Sequence, residues 1–300
     1  MTRPGAPGIV DASKQQRRQG RIDPFAGPWY GPSGHGLPEG AGPRRPRPGY
    51  QQDDRSSNLD RRIDGFETLR RVRQTYPAIK TALITDYSVD GYIRMALEKD
   101  VTNIIAKTAP FDAEELLRTV DNLVSGARLF GLANYMDPEA DLSSHRLRGS
   151  DEIQEIRNAC LQRFSRTPLG ESDISLFCVV FEEIVSNALY HAYGYRKGDS
   201  VRLAEGQTVS ISYGSDRAKI GLSVVDLSGR LTKETVLEKI IGATDEDGLL
   251  AGSGRGLFLS RAMSDRLIVN ILMGKKTELI ALKYFAVTET VNRPLYINQI

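Results

Sequence analysis

The sequence predicts an α/β protein with two structured regions behind a disordered N-terminal tail. Residues 59–128 alternate helical and strand-like segments joined by short loops. Residues 150–300 hold two helices, two strands, a loop-rich stretch, another helix and two more strands. Residues 1–58 contain nine of the fourteen prolines and few apolar side chains, so the entropy of ordering them is not offset by burial.

Composition excludes several classes of protein. Hydrophobic residues make up 40% of the chain, charged residues 26%, and the net charge is +2, so no strong field attracts nucleic acid or a membrane surface. No apolar run reaches the roughly 18 residues that a membrane helix needs, and no secretory signal opens the chain. We therefore expect a cytoplasmic protein, with Cys160 and Cys178 as free buried thiols. No histidine lies near a cysteine at metal-ligand spacing.

The first structured region has the pattern of a parallel α/β unit. Apolar residues recur at helical spacing through residues 66–76, and a second and a third helix are predicted over residues 89–99 and 113–124. Short apolar runs predict strands over residues 81–85 and 103–106. Helix and strand in alternation imply parallel strands with right-handed crossovers. Residues 129–149 are predicted to be a linker, residues 150–290 the second domain, and residues 291–300 a C-terminal tail.

A helix predicted over residues 173–193 carries the strongest functional signal. Its apolar stripe is flanked by Glu183, Asn187 and His191, each four residues after the last, so the three side chains form one row. Polar groups at the edge of a core are costly unless something polar faces them. A nucleotide phosphate with a divalent cation suits this row, because a carboxamide oxygen binds hard cations and a carboxylate can deprotonate a hydroxyl. The alternative is a solvated helix flank.

Two glycine-containing turns follow the helix. Asp226 ends an apolar strand over residues 220–225, and Gly229 lies three residues further on. The functional interpretation makes Asp226 an acceptor for the exocyclic amine of adenine, with Gly229 allowing close approach of the base. The second turn leads into a helix, where backbone amides favour phosphate, and it contains Gly252, Gly254, Arg255, Gly256 and Leu257. The turn lacks the Lys-Ser/Thr pair of a P-loop and follows no strand, which disfavours Walker and Rossmann sites.

Together these segments resemble the histidine-kinase-like ATPase superfamily. Residues 183–193 resemble its N box, residues 226–229 its adenine-binding box, residues 252–257 its second glycine box, and Thr277 stands where the family has a base-contacting threonine. The resemblance covers about 140 residues and implies a two-layer α/β sandwich. The His-Ala-Tyr ending at residues 191–193 resembles the anti-sigma-factor serine kinases.

The resemblance assigns roles to residues of the site. It implies ATP and Mg²⁺ as cofactors, Glu183 as general base and Asn187 as the magnesium ligand. It also implies a protein partner with a phosphorylatable Ser or Thr, such as an anti-sigma antagonist or a sigma factor. One departure is that Arg230-Leu231 stands where the family has a second glycine after the aspartate. Residues 231–250 are expected to form the lid over ATP.

The first structured region resembles the second half of a response-regulator receiver domain. The resemblance is carried by residues 64–67, by Thr85 and Lys107 after their strands, and by Pro110-Phe111. Two residues, 108–109, are inserted after Lys107, and Ser57 stands where the phosphoacceptor aspartate is expected. We therefore predict that this unit is not phosphorylated in the usual way. The open edge of half a sheet suggests a role in homodimerisation or partner docking.

Three functions are compatible with the sequence. The first is a protein serine/threonine kinase or ATP-dependent partner switch. The second is a histidine-kinase catalytic fragment, although the linker is short for a helical hairpin and the surroundings of His145 do not resemble those of a phosphoacceptor histidine. The third is a non-catalytic module that senses nucleotide or binds none.

Overall fold

The structure is a computed structural model that describes residues 8–11, 65–85, 103–106, single helical positions between 113 and 124, and residues 129–242, 255–286 and 295–299. Within these residues the chain forms one mixed nine-stranded sheet. Four helices cover one face of its C-terminal part, as the prediction of a two-layer α/β sandwich required.

The N-terminal unit is parallel, as its helix–strand alternation predicted. Strands β1 (Gly8–Asp11), β2 (Thr81–Thr85) and β3 (Asn103–Ala106) run in the same direction. Helix α1 (Gly65–Thr75) precedes β2 and buries Leu69. The predictions of β2, β3 and α1 are confirmed, whereas the helix predicted over residues 89–99 and the side chain of Lys107 lie outside the described residues.

Strand β1 lies inside the segment predicted to be disordered, so that prediction was wrong for Gly8–Asp11. Pairing with β2 gives these residues the backbone hydrogen bonds that a free tail would make with water. Asp11 ends the strand opposite Ile84, the residue before Thr85. An aspartate therefore lies at this end of the sheet, where spacing alone had suggested Ser57, a residue outside the described part of the chain. The expected lack of phosphorylation stays a prediction.

The C-terminal domain consists of a six-stranded sheet and a helical layer. Its strands are β4 (Asp141–Leu147), β5 (Val209–Ser215), β6 (Lys219–Asp226), β7 (Arg266–Leu272), β8 (Lys276–Tyr284) and β9 (Leu295–Gln299). Its helices are α2 (Ile153–Phe164), α3 (Glu171–Ser186), α4 (Lys233–Gly242) and α5 (Gly256–Met263). A π-helical turn, Asn187–His191, continues α3.

Strand β9 joins the two regions into one sheet. The order of the strands is β1-β2-β3-β9-β7-β8-β6-β5-β4, so β9 lies between the N-terminal unit and the ATPase-like sheet. It pairs antiparallel with β3 and parallel with β7. The prediction of a C-terminal tail was therefore wrong for Leu295–Gln299, because the alternating residues Leu295 and Ile297 are buried in the core. The edge of β3 that suggested docking of a second chain is covered by the same chain.

The predicted linker also contains a strand. Strand β4 pairs antiparallel with β5 along all seven of its residues and forms the outer edge of the sheet. Its exposed, polar residues gave no strand pattern, because an edge strand with a solvated face buries little. Before it, a 3₁₀ turn at Leu132–Tyr135 packs on the sheet face opposite the helices.

The core between the helices and the sheet is apolar and aromatic. Phe164 of α2 meets Phe177 of α3 edge to face at 5.6 Å between ring centroids, and Tyr213 of β5 at 6.3 Å. Such pairs stabilise a core by about 0.5–1.5 kcal/mol beyond the area they bury. This packing fixes α3 across the sheet and so fixes the polar row on its flank.

None of the helices within the described residues combines the length and the apolar character needed to cross a bilayer.

Candidate functional site

Helix α3 changes its pitch at Asn187, the second residue of the predicted polar row. The helix is α-helical to Ser186, and from Asn187 the bonds widen to a π-turn in which the Ala192 amide donates to the Asn187 carbonyl at 3.0 Å. The prediction of one regular helix through residue 193 was therefore wrong over its end. Short π-helical turns occur often at functional sites, because they rotate the following side chains away from an α-helical row.

An open cleft of about 180 Å³ lies between this turn, the sheet and helix α4. Among the predicted site residues, Asn187, His191, Asp226, Leu257 and Thr277 line it. Its other lining residues are Ala192, Ser228, Arg230, Leu231, Thr235, Lys239 and Leu279. Three separate segments of the chain therefore meet in one place, as the three motifs predicted.

Asp226 and Thr277 form the floor of the cleft. They are directly paired across β6 and β8, and both are buried. The Ser228 amide donates a hydrogen bond of 2.9 Å to Asp226 Oδ1, and the Ser228 hydroxyl donates to the same atom. Burial raises the pKa of Asp226, and the bonds from Ser228 oppose that shift. Asp226 and Thr277, the two residues that the sequence predicts to contact the base, are therefore neighbours.

Gly229 has a different role from the one predicted. Its φ is +56°, and a Cβ atom here would lie 2.3 Å from the Lys275 nitrogen and 2.7 Å from the Leu272 carbonyl oxygen. The Gly274 amide also donates to the Gly229 carbonyl at 3.0 Å. The glycine therefore lets the turn after β6 pack against the β7–β8 turn, and it is not among the residues lining the cleft.

The start of helix α5 packs against Glu183. A Cβ atom on Gly256 would lie 2.4 Å from Glu183 Oε2 and 3.4 Å from Asn187 Nδ2, so a side chain here would displace the Glu183 carboxylate. Leu257 reaches the cleft itself, whereas the half-buried Arg255 immediately precedes the helix. Gly252 and Gly254 lie outside the described residues. The described half of the glycine box therefore meets the N-box helix, as the prediction of a shared site required.

Several basic side chains lie around the cleft. His191, Arg230 and Lys239 line it, and Lys197 Nζ lies 3.6 Å from Glu183 Oε1 beside it. Burial lowers the pKa of His191, and the ammonium groups of Lys239 and Lys197 lower it further. Sequence reasoning did not identify either lysine, because each reaches the site through tertiary contacts and belongs to no motif.

Two buried polar atoms in the cleft have no partner among the described residues. They are Asn187 Nδ2 and Thr277 Oγ1. An unsatisfied buried polar group costs about 1–3 kcal/mol, so few persist in folded proteins without a reason. Both residues line the cleft, which makes it a site for a ligand that carries polar atoms of its own.

A protein-only metal centre is not part of this arrangement. The described residues contain no group of three or more His, Cys, Asp or Glu side chains that could hold a metal ion. Cys160 and Cys178 are free and buried, as predicted, and burial raises the pKa of both thiols. A cation in this cleft would need ligands from a bound molecule in addition to Asn187.

Comparison with known proteins agrees with the geometry. Residues 150–283 match the family model of the histidine kinase-like ATPase domain. A search of curated proteins found no matching relative. The matched residues include Asn187 and His191 of the π-turn, Asp226, Leu257 and Thr277, all of which line the cleft. Residues 150–283 are therefore similar to the histidine kinase-like ATPase domain, and this similarity supports ATP binding and a signalling role.

Proposed function

We propose that the cleft binds ATP with Mg²⁺ and that the protein transfers the γ-phosphoryl group to a serine or threonine of a bound protein, in the manner of the anti-sigma-factor kinases. The observation that carries the proposal is the pair of buried atoms without a partner among the described residues, Asn187 Nδ2 and Thr277 Oγ1, in a cleft that Arg230 and Lys239 also line. The expected compartment is the cytoplasm.

The base would lie on the floor of the cleft. Asp226 is a buried acceptor that suits the exocyclic amine of adenine, and the Thr277 hydroxyl beside it can bond a ring nitrogen. Leu257 and Leu279 supply apolar surface for the ring faces. This combination selects a flat heterocycle with a donor on its edge.

The phosphates would lie toward the π-turn and the start of α5. Arg230 and Lys239 give this side positive charge, and the amides at the start of a helix favour anions. The Asn187 carboxamide is the group among the described cleft residues that suits Mg²⁺, with phosphate oxygens and water as the other ligands. Bound Mg²⁺ neutralises charge on the phosphates.

Glu183 would serve as the general base. Its carboxylate lies beside Gly256 and Asn187 and is held by Lys197 at 3.6 Å. It accepts the proton of the partner's hydroxyl, whose oxygen bonds to the γ-phosphorus while the bond to the β–γ bridging oxygen breaks and ADP leaves. Substitution of the carboxylate should therefore abolish transfer and leave ATP binding largely intact.

The test separates binding from transfer. Calorimetry of ATP on the full chain, with and without Mg²⁺, should give binding that magnesium strengthens. An array of serine- and threonine-containing peptides with γ-labelled ATP should then acquire acid-stable label from the wild type and none from Glu183→Gln. Glu182→Gln is the matched control, since Glu182 is exposed and pairs with Arg157. A wild type that fails to bind ATP refutes the proposal.

The other two functions are distinguishable outcomes. Acid-labile label on the protein itself would favour the histidine-kinase fragment, but His145 lies in β4 and stacks on Tyr213 at 5.6 Å. ATP binding without transfer to any peptide would favour the nucleotide-sensing module.

Homodimerisation also stays a proposal. Within the described residues the outer strands of the sheet are β1 and β4, and sedimentation of the full chain tests whether either pairs with a second copy.

A further inference from the structure

Tyr193, the last residue of the His-Ala-Tyr segment, uses every hydrogen-bonding position of its hydroxyl on backbone groups. The hydroxyl donates to the Thr208 carbonyl at 2.8 Å and accepts from the Thr208 amide at 3.0 Å. It also accepts from the Leu227 amide at 3.0 Å. A phenol has one proton and two lone pairs, so the group is fully satisfied within the protein. It has no capacity left for a ligand, so any effect it has on the cleft acts through the backbone groups that it holds.

The three backbone groups lie where the β5–β6 ladder ends. The last pair of that ladder is Val209 with Asp226, and Thr208 and Leu227 are the next residues outward on each strand. The Tyr193 hydroxyl bridges these two residues where no ladder pair continues. Leu227 follows Asp226 directly, so the bond fixes the backbone at the carboxylate that forms the floor of the cleft.

The same tyrosine connects this floor to the π-turn. Tyr193 lies two residues after His191, and the bond from the Ala192 amide to the Asn187 carbonyl closes the turn just before it. One side chain thus links the segment that carries Asn187 to the segment that carries Asp226. The phosphate end and the base end of the cleft are joined through it.

We propose that Tyr193 is a positioning residue that sets the base preference of the cleft by holding Asp226 at the edge of the bound base. The inference rests on the proposed function, because it assumes that Asp226 accepts from an exocyclic amine. Loss of the hydroxyl frees the turn at Leu227 and lets the carboxylate move from the amine. A net hydrogen bond of this kind corresponds to about 3- to 10-fold in affinity.

The test compares two tyrosines of the same segment. Tyr193→Phe removes the bridging hydroxyl. Tyr195→Phe is the matched control, since the hydroxyl of that half-buried tyrosine donates to Gln207 Oε1 at 2.7 Å, away from the turn after Asp226. Calorimetry on the full chain measures affinity for ATP and for purine riboside triphosphate, which lacks the exocyclic amine. The preference for ATP should fall about 3- to 10-fold in Tyr193→Phe and stay at the wild-type value in Tyr195→Phe.

The ratio of the two affinities separates positioning from general damage. A merely structural role would weaken both ligands equally, and that outcome overturns the inference, as does a preference unchanged from the wild type. In an Asp226→Asn background the effect of Tyr193→Phe on the ratio should vanish, because the two residues act as one unit. A wild type that binds no ATP overturns the proposed function together with this inference. A wild type that prefers ATP while Tyr193→Phe keeps that preference overturns this inference alone.

A measurement on the unaltered protein guards against a variant that fails to fold. The Leu227 side chain is exposed, yet its amide donates to Tyr193. Amide hydrogen exchange at Leu227 should therefore be slow in the free protein and slower still with ATP. Exchange as fast as in an unprotected loop would overturn the inference without any substitution.

Discussion

Strand β8 has a buried polar side chain on each face, and the two differ in whether they have hydrogen-bond partners. Thr277 faces the cleft, is almost fully buried, and its Oγ1 has no partner within the described residues. Glu278, the next residue, faces the other side and is fully buried with donors on both carboxylate oxygens. Those donors are the Gly131 amide at 3.0 Å, the Ser223 hydroxyl at 2.6 Å and Asn270 Nδ2 at 3.2 Å. A satisfied polar cluster stabilises the fold, whereas an unsatisfied one marks where a ligand belongs.

The cluster around Glu278 explains why residues 129–136 are ordered on the back of the sheet. Tyr135 donates to the Leu129 carbonyl at 2.8 Å, and Asn270 donates to the same carbonyl. The surrounding contacts are apolar and include Leu132 and Met136. The back face thus anchors the segment between the two regions, while the front face lines the cleft. Substitutions should therefore separate stability from nucleotide binding.

The largest effect is expected from Glu278→Ala. It removes the acceptor of three donor groups in the core, and such losses cost about 3 kcal/mol of unfolding free energy. Urea unfolding should show this loss, while the affinity for ATP, measured well below the transition, should stay within about twofold. Glu182→Ala, at an exposed ion pair, should change stability by less than about 0.5 kcal/mol. A large loss of ATP affinity in Glu278→Ala would contradict the idea that the back face of the sheet serves stability and the front face serves nucleotide binding.

Asn187→Ala should weaken ATP binding and leave stability almost unchanged. Loss of the proposed magnesium ligand should weaken magnesium-dependent ATP binding on the order of 100-fold, and the melting temperature should hardly change because the Nδ2 atom had no partner to lose. Asn158→Ala, on the exposed side of α2, is the control. Equal ATP affinity of Asn187→Ala and Asn158→Ala would contradict the assignment of the front face.

The pH dependence of stability tests the role of Glu278 on the back face of the sheet. Burial raises the pKa of Glu278 above its ordinary value of about 4.5, although its hydrogen bonds oppose the shift. The native state therefore holds this proton to a higher pH than the unfolded chain does. The contribution is complete below about pH 4.5 and is lost as the pH rises through the native pKa.

Relative to Glu278→Gln, the wild type should accordingly lose stability as the pH rises above about 4.5, by at most about 1.4 kcal/mol per pH unit. Urea unfolding of both proteins across that range measures the difference. A difference that is constant with pH, or that grows in favour of the wild type, would show that Glu278 is not held in its protonated form.

The smallest effect on stability should come from Thr277→Val. Removing a hydroxyl without a partner should leave stability unchanged or raise it by up to about 1 kcal/mol, while ATP affinity falls about fivefold. Ser223→Ala is its counterpart on the back face, since that hydroxyl donates to Glu278, and it should destabilise the protein by about 1 kcal/mol with no change in ATP affinity. Thermal unfolding measures the stability of both variants, and calorimetry measures their affinity for ATP. Destabilisation by Thr277→Val would contradict the prediction.

Most of the candidate site could be predicted because its groups belong to local patterns. The spacing of Glu183, Asn187 and His191 on a helix, and an aspartate at the end of an apolar strand, are visible in the printed sequence. The role of Gly229 was misassigned, because its crowding comes from the β7–β8 turn about 45 residues later in the chain. Lys239 was missed because it lies in a helix that carries no motif and only folding brings it to the cleft.

The sequence by itself determined the α/β class, the strands β2, β3 and β6, and several residues that line the cleft, because periodicity and turn chemistry act over a few neighbouring positions. The tertiary structure alone decided the π-turn, the insertion of β9 between the two regions, and the bond from the Gly131 amide to Glu278, 147 residues apart. Such features depend on which distant groups can satisfy one another once water is excluded, and no local pattern records that choice.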